Sequence, residues 1–356
     1  MLAVLAAAAP PRPQPSFRDL ARRAGAAREA DRVDDAIGLY RRALKLRPSW
    51  DEGWWYLGTL LYDRDRPVDA ARAFEQFVLL KPDSTAGWAL RGICEFQARN
   101  HDAALRHLQR AAQLGLKGED PVAQSARYHL AALLVRQSDF ELAVEPLTAL
   151  ARAQPESGRL VDAIGLMVLR LPYLPSEVPA EKRELVQMAG AAGYAFLARQ
   201  GDVAARRFEA LGARYPQAPN VHYGYGVFLL SQAPDRALEE FKKELEVQPE
   251  SVYARLQIAF ELLKRTDAAG ARPYAEEAAR LAPRLFATRY ALGRALVELG
   301  EVEPGIVELE TAAGLAPDSP EMHFALARAY SRAGREADAE RARATFRALD
   351  QRRKGQ

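Results

Sequence analysis

Prolines recur at one fixed spacing along this chain. Pro48 and Pro82 are 34 residues apart, and the same interval separates Pro249, Pro283 and Pro317. Small residues follow the same period within each half of the chain; they are Ala36, Ala70 and Ala104, and then Ala237, Ala271, Gly305 and Ala339. A period of this length is typical of stacked helical repeats, in which each repeat is a hairpin of two helices. The sequence therefore predicts an all-α solenoid.

The clearest hairpin occupies residues 51–84. Apolar residues at helical spacing mark two helices, and a polar turn at 63–67 separates them. The marking residues are Trp54, Leu57, Gly58 and Leu61, followed by Ala70, Phe74 and Phe77. Pro82 ends the second helix, because the residue before a proline is driven out of the α region.

This order of tryptophan, Leu-Gly, alanine, aromatic residue and proline resembles the tetratricopeptide repeat, whose period is the same. Similar units cover about nine tenths of the chain. An N-terminal array at 17–157 consists of units 17–50, 51–84, 85–118 and 124–157, and a C-terminal array at 185–353 consists of units 185–218, 219–251, 252–285, 286–319 and 320–353. The resemblance implies a right-handed superhelical solenoid of about nine hairpins, with one irregular break.

Glycines in the middle of predicted first helices need a physical reason, because each costs about 1 kcal/mol relative to alanine. They are Gly58, Gly92, Gly226 and Gly293. We expect close approach of the second helix of the same unit at these points. We expect larger residues such as Phe74 and Phe241 to pack against the neighbouring repeat.

The segment 158–184 breaks the period. Residues 158–171 have the pattern of a first helix, but Pro172, Pro175 and Pro179 forbid a regular second helix after them. One interpretation is a degenerate repeat whose second helix is replaced by a loop. The other is a loop that enters the binding groove or contacts a partner.

The N-terminal residues 1–16 combine the apolar run MLAVLAAAA with a proline-rich linker. The run resembles the core of a signal peptide that lacks its positively charged start, and it is too short to span a bilayer. We expect the remnant of an export signal and a periplasmic location. The alternative is a disordered tail on a cytoplasmic protein.

Composition argues against several functional classes. Lysine and arginine total 50 and aspartate and glutamate 47, with both signs intermixed, which disfavours a platform for nucleic acid or anionic lipid. The five histidines are dispersed without the i, i+4 spacing of a helical metal site, and Cys94 lies in an apolar context. The sequence predicts no enzyme, no cofactor, no metal site and no transmembrane segment.

In the tetratricopeptide family the first helices line a concave groove that holds a peptide. The resemblance places these residues in the groove: Trp55, Thr59, Tyr62, Phe96, Tyr128, Phe196, Tyr223, Tyr253, Phe260, Tyr290, Arg294, Phe324 and Arg328. The set is rich in aromatic side chains, which anchor interfaces. For each residue the alternative is ordinary packing.

Some co-chaperone members of the family hold a partner's terminal carboxylate with a lysine and asparagine clamp. Its places here hold Ala21, Gly25, Trp55 and Thr59, so this clamp is absent. The resemblance therefore implies a non-enzymatic scaffold for a protein or peptide of unknown identity, in an unknown oligomeric state. The alternative is a repeat module that accompanies an enzyme or the machinery of cell-envelope assembly.

Overall fold

The computed structural model describes residues 15–116 and 120–354, and the predicted signal-peptide core lies outside them. Nineteen α-helices and no strand occur in the described residues. The chain divides into two compact units, the first ending at Ala180 and the second beginning at Glu181. The prediction of an all-α chain of consecutive helical hairpins is confirmed.

The first unit contains nine α-helices in its described residues. They are α1 (Phe17–Glu29), α2 (Val33–Leu46), α3 (Asp51–Asp63), α4 (Pro67–Leu80), α5 (Thr85–Gln97), α6 (His101–Gln113), α7 (Pro121–Arg136), α8 (Phe140–Ala153) and α9 (Gly158–Val168). The helices pair as hairpins from α1–α2 to α7–α8, and α9 follows without a helical partner of its own.

The second unit contains five hairpins in its described residues. They are formed by α10 (Arg183–Leu197) and α11 (Gly201–Arg214), α12 (Val221–Leu229) and α13 (Pro234–Val247), α14 (Val252–Lys264) and α15 (Ala268–Leu281), α16 (Phe286–Glu298) and α17 (Val302–Leu315), and α18 (Pro320–Arg332) and α19 (Glu336–Lys354). First helices of successive hairpins touch one another at α10–α12, α14–α16 and α16–α18.

The period extends to the backbone of the turn inside each regular hairpin. A residue with φ between 53° and 89° occupies it at Asp31, Asp65, Arg99, Thr266, Gly300 and Gly334, again 34 residues apart within each run. The amide of Arg66 donates to the carbonyl of Leu61 at 3.0 Å, as in a helix that ends through a left-handed residue. The turn therefore closes in the same way in both units.

The proline at the end of a repeat has a second role. Its carbonyl accepts an N–H from the side chain six residues later, in the first turn of the next helix. The pairs are Trp54 Nε1 with Pro48 (2.8 Å), Trp88 Nε1 with Pro82 (2.8 Å), Arg289 Nε with Pro283 (3.0 Å) and His323 Nε2 with Pro317 (3.0 Å). The contact joins the end of one repeat to the start of the next.

The mid-helix glycines mark close helix approach, as expected. A Cβ atom on Gly58 would lie 2.8 Å from the ring of Phe74, and one on Gly226 would lie 2.6 Å from the ring of Phe241. Both rings are fully buried. The expectation that these rings pack on the neighbouring repeat was incomplete, because they fill the space above the glycine of their own hairpin.

Most of the break near the middle of the chain belongs to the first unit, which ends at Ala180. α9 ends at Val168, before residue 171, and a 3-10 turn at Pro175–Glu177 follows. Leu174 and Val178 are buried, and the carboxylate of Glu177 accepts a hydrogen bond from Arg136 of α7 at 3.2 Å. The Arg136–Glu177 contact joins the segment to α7, and both interpretations of the segment stay predictions.

Candidate functional site

Aromatic residues predicted for the groove lie side by side on the first helices of the second unit. The ring centroids of Tyr223 on α12 and Tyr253 on α14 are 6.4 Å apart. Those of Phe260 on α14 and Tyr290 on α16 are 6.1 Å apart. All four side chains are half-buried. Each therefore packs on its neighbours and still leaves part of its ring accessible.

We call this surface the first-helix face of the second unit. It comprises Tyr223, Tyr253, Phe260, Tyr290, Arg294, Phe324 and Arg328. These are seven of the residues that the sequence predicts for the groove.

A pocket of about 180 Å³ lies at the α16–α18 end of this face. Tyr290 and Arg294 enter it from α16, and Phe324 and Arg328 enter it from α18. Phe324 is 49% exposed although its ring lies 5.5 Å from that of Phe346 on α19. The structure thus brings four predicted residues from two repeats into one cavity.

The pocket carries an excess of positive charge. Three arginines line it against the single carboxylate of Glu298. Arg294 lies 5.6 Å from the centroid of Tyr290 and 3.5 Å from Glu298. Arg332 donates to the carbonyl of Val297 at 2.9 Å. Arg328 is exposed and makes no ion pair with a residue that the structure describes.

In the first unit, the predicted groove residues of α3 contact their own hairpin. The ring of Trp55 lies 5.1 Å from Phe77 and 5.8 Å from Phe74. Thr59 donates to the carbonyl of Tyr56 at 3.1 Å. Tyr62 packs against the apolar core of α1–α5. All three side chains are half-buried, and Trp55 also lines a pocket of about 510 Å³ beside Phe77.

Phe96 and Tyr128 both contact His129, a residue for which the sequence predicts no role. The ring of His129 lies 4.4 Å from Phe96 and 5.4 Å from Tyr128. Burial lowers the pKa of His129 to about 4, so the ring is neutral at physiological pH. Its Nδ1 donates to the carbonyl of Ser125 at 2.7 Å, and its Nε2 lies 3.3 Å from Arg159 as the acceptor.

Phe196 belongs to an aromatic cluster of its own. Its ring meets Phe228 edge-on at 5.4 Å, and Phe228 stacks on Phe208 at the same distance. Phe228 is fully buried. Phe196 therefore extends the core of α10–α12.

A buried glutamate holds the start of α12, from which Tyr223 projects. Glu244 of α13 is fully buried, and its carboxylate accepts hydrogen bonds from the amides of Asn220 at 2.7 Å and Tyr223 at 3.1 Å. Asn220 has φ of 66° and gives no side-chain cap, so Glu244 caps the helix from the neighbouring helix. Burial raises the pKa of Glu244, while the amide hydrogen bonds act in the opposite direction.

A second buried pair lies beside this cap. His222 Nδ1 is 2.6 Å from the carboxylate of Glu240, and His222 Nε2 is 3.1 Å from the carbonyl of Pro216. Both ring nitrogens face acceptors, so the ring that satisfies both is the imidazolium. The hydrogen bond to Glu240 raises the pKa of His222 accordingly. Lys243 also donates to Glu240, at 2.7 Å.

Sequence reasoning missed Glu240 and Glu244, although a signal was present. Both fall in phase with Ala237 and Phe241 on the apolar stripe of α13, where charged residues are rare. The unit at 219–251 is also one residue shorter than its neighbours. A carboxylate on a buried stripe in a shortened repeat points to a substitute for a missing backbone partner.

The described part of the chain gives no sign of a metal centre. No group of three or more histidine, cysteine or acidic side chains gathers within residues 15–116 and 120–354. Burial raises the pKa of the Cys94 thiol to about 12, so the reactive thiolate is disfavoured. In the same ranges no helix is both long and apolar enough to cross a bilayer.

These observations define an α-helical repeat protein with an aromatic surface on its first helices. The family model of the tetratricopeptide repeat matches residues 21–84, 57–118, 96–158 and 290–353, which together exceed half of the chain. The chain belongs to the tetratricopeptide repeat family. The family supports a protein-interaction scaffold with protein partners, of a kind that is typically non-catalytic.

Solved structures of MamA proteins are similar to parts of the chain. MamA from Desulfovibrio magneticus RS-1, from residue 41 to its end, is 21% identical, with 47% of this chain and 96% of that chain covered and a TM-score of 0.44. A MamA RS-1 double mutant is 21% identical, with 49% and 98% covered and a TM-score of 0.45. Another MamA crystal structure is 16% identical, with 48% and 94% covered and a TM-score of 0.43. Comparison with curated protein sequences gives no match.

Proposed function

We propose that the chain is a non-enzymatic scaffold that holds a protein or peptide segment on the first-helix face of its second unit. The observation that carries the proposal is the continuity of half-buried aromatic rings across successive repeats. Tyr223 neighbours Tyr253, Phe260 neighbours Tyr290, and Tyr290 opens into the pocket that Phe324 lines.

The exposed part of these rings is what a bound segment would cover. Burial of apolar surface contributes about 25 cal/mol per Å². Aromatic rings that are already packed lose little conformational entropy when a partner covers them, which is why such side chains dominate interface energetics. A helical or extended segment laid across α14, α16 and α18 would meet Tyr253, Tyr290 and Phe324 in turn.

The test is selection of binding segments from a random peptide library displayed on phage, against the full chain. Phe324→Ala is expected to weaken the selected segments by about tenfold or more, as an exposed aromatic anchor does. Phe286→Ala is the matched control, because Phe286 is a first-helix phenylalanine of similar exposure, 39%, outside the face. Circular dichroism checks that both variants stay helical.

A second pair of variants tests the tyrosines. Tyr253→Ala is expected to weaken the same segments, whereas Tyr274→Ala, which removes a half-buried tyrosine from the second helix α15, is not. Equal losses in all four variants, or selected segments that none of them affects, would overturn the proposal for this face. The groove residues predicted in the first unit stay a prediction.

An exported location also stays a prediction. Sequencing the N-terminus of the mature protein from its host tests it: a start after residue 9 is the expected result, and an intact Met1 would contradict export.

A further inference from the structure

We infer that the pocket between α16 and α18 selects acidic segments, with a carboxylate of the partner bound at Arg328 and Arg294 and an adjacent apolar side chain placed between Tyr290 and Phe324. The inference rests on the proposed function and names the chemistry of the occupant.

The first argument is the uneven pairing of arginines in this unit. Arg289 forms two hydrogen bonds with Glu308, at 2.9 and 3.2 Å. Arg335 is similarly paired with Asp338 at 2.8 Å. Arg328 has no such carboxylate among the described residues, although it projects into a pocket. An unpaired guanidinium in a partly enclosed site is the feature that attracts a carboxylate from a partner.

The second argument is the way the other charges in the pocket are held. Glu298 is the single acidic side chain in the lining, and it lies at the edge of hydrogen-bond range from Arg294, at 3.5 Å. Arg332 donates one N–H to the carbonyl of Val297, a neutral acceptor that does not compensate the charge of the guanidinium. Three guanidinium groups against one carboxylate leave a local excess of two positive charges in a chain whose total charge is only +3.

The third argument is the combination of charge with aromatic walls and small size. The pocket holds about 180 Å³, which suits side chains of a peptide rather than a large ligand. Tyr290 and Phe324 supply apolar walls from opposite helices. The complementary occupant is therefore a peptide in which aspartate or glutamate adjoins an apolar residue.

The experiment uses three fluorescein-labelled peptides that differ in one repeated residue. Each peptide repeats phenylalanine, glycine and a variable residue, which is glutamate in the first peptide, glutamine in the second and lysine in the third. Fluorescence anisotropy measures their binding to the full chain. We expect the glutamate peptide to bind about tenfold tighter than the glutamine peptide, and the lysine peptide to bind most weakly. The advantage of glutamate should shrink as salt is added, because screening weakens exposed charge pairs.

Variants locate the effect. Arg328→Ala is expected to remove most of the glutamate advantage, and Arg328→Lys to restore part of it, because lysine keeps the charge but lacks the guanidinium fork. Arg206→Ala on α11 is the matched control, since Arg206 is an exposed arginine outside the pocket. It is expected to leave the advantage intact.

The outcomes separate this inference from the proposed function. If the glutamate and glutamine peptides bind equally, or Arg206→Ala acts as strongly as Arg328→Ala, the acidic selection is overturned. If none of the peptides binds, it is overturned as well. In each case, library segments that still depend on Phe324 leave the proposed function standing, whereas loss of that dependence removes both.

Discussion

Two hairpins, α3–α4 and α12–α13, have the same close contact between a glycine of the first helix and a phenylalanine of the second. They differ in the residues around this glycine–phenylalanine contact. Phe74 lies over Gly58 in the first, and Phe241 lies over Gly226 in the second. The difference teaches that the repeat period fixes where the two helices touch, while the rest of each hairpin is free to use other chemistry.

The residues around the glycine–phenylalanine contact in α3–α4 are aromatic. Trp55 packs on Phe74 and Phe77, and the turn closes through the left-handed residue Asp65. In α12–α13 no left-handed residue occurs between Leu229 and Pro234, and the first helix is shorter. Buried polar side chains stabilise the shorter hairpin.

The largest expected change in unfolding free energy comes from removing the buried cap of α12–α13. Glu244→Ala deletes two charge-assisted hydrogen bonds to backbone amides, and we expect a loss of about 2–4 kcal/mol. Glu244→Gln, which keeps an acceptor, should lose less. Urea unfolding followed by circular dichroism measures both, and a loss of under about 1 kcal/mol in Glu244→Ala would contradict the capping role.

A methyl group on the glycine of the glycine–phenylalanine contact should destabilise both hairpins by similar amounts. Gly58→Ala and Gly226→Ala place a Cβ within 2.8 and 2.6 Å of a buried ring. Overpacking costs about 1–3 kcal/mol and outweighs the gain of about 1 kcal/mol in helix propensity.

The control for this pair is Gly38→Ala in α2, where a Cβ would meet nothing within 4 Å. It should stabilise the chain by about 1 kcal/mol, because only the helix propensity changes. The same unfolding experiment compares the three. Stabilisation by Gly58→Ala would show that the helices are not in tight contact there.

Substitution by glycine should change the stability of the two hairpins in opposite directions when it is made in their turns. Asp65 has φ of 53°, so Asp65→Gly relieves the left-handed backbone and should stabilise α3–α4 by roughly 0.5–1 kcal/mol. Ala233 has φ of −144°, so Ala233→Gly only adds freedom to the unfolded chain and should destabilise. Thermal unfolding of both variants checks the signs, and a shared sign would remove this distinction between the hairpins.

The smallest expected effect is the pH dependence that the His222–Glu240 pair gives to α12–α13. The pKa of His222 is raised in the fold by its hydrogen bond to Glu240. Its contribution is therefore fully present below the unfolded pKa of about 6.5 and is lost as pH rises through the folded pKa.

His222→Gln tests this dependence. The difference in unfolding free energy between the original chain and the variant should fall as pH rises from about 6. Burial lowers the pKa of His107 and His129 to about 4, so these residues act with the opposite sign, but they contribute equally to both proteins. A difference that is flat with pH would contradict an imidazolium at position 222.

Part of the candidate site was predictable for the same reason as the fold. The offsets of Tyr290, Arg294, Phe324 and Arg328 follow from the period, and the structure places these residues in one pocket. Trp55 occupies an equivalent offset and packs on Phe77 of its own second helix, as Phe324 packs on Phe346, but Trp55 lies in a different pocket, which Phe77 also lines. A pattern within one helix does not reveal what the facing helix presents.

The sequence by itself determined the helical hairpins and the places where their helices approach, because these depend on spacing along the chain and on glycine's missing side chain. Tertiary structure alone decided that Glu244 caps α12 from another helix and that Arg328 has no carboxylate partner among the described residues. Those properties depend on which side chains the packed helices bring within hydrogen-bond distance, and charges distant in sequence are paired or left unpaired only when the hairpins stack.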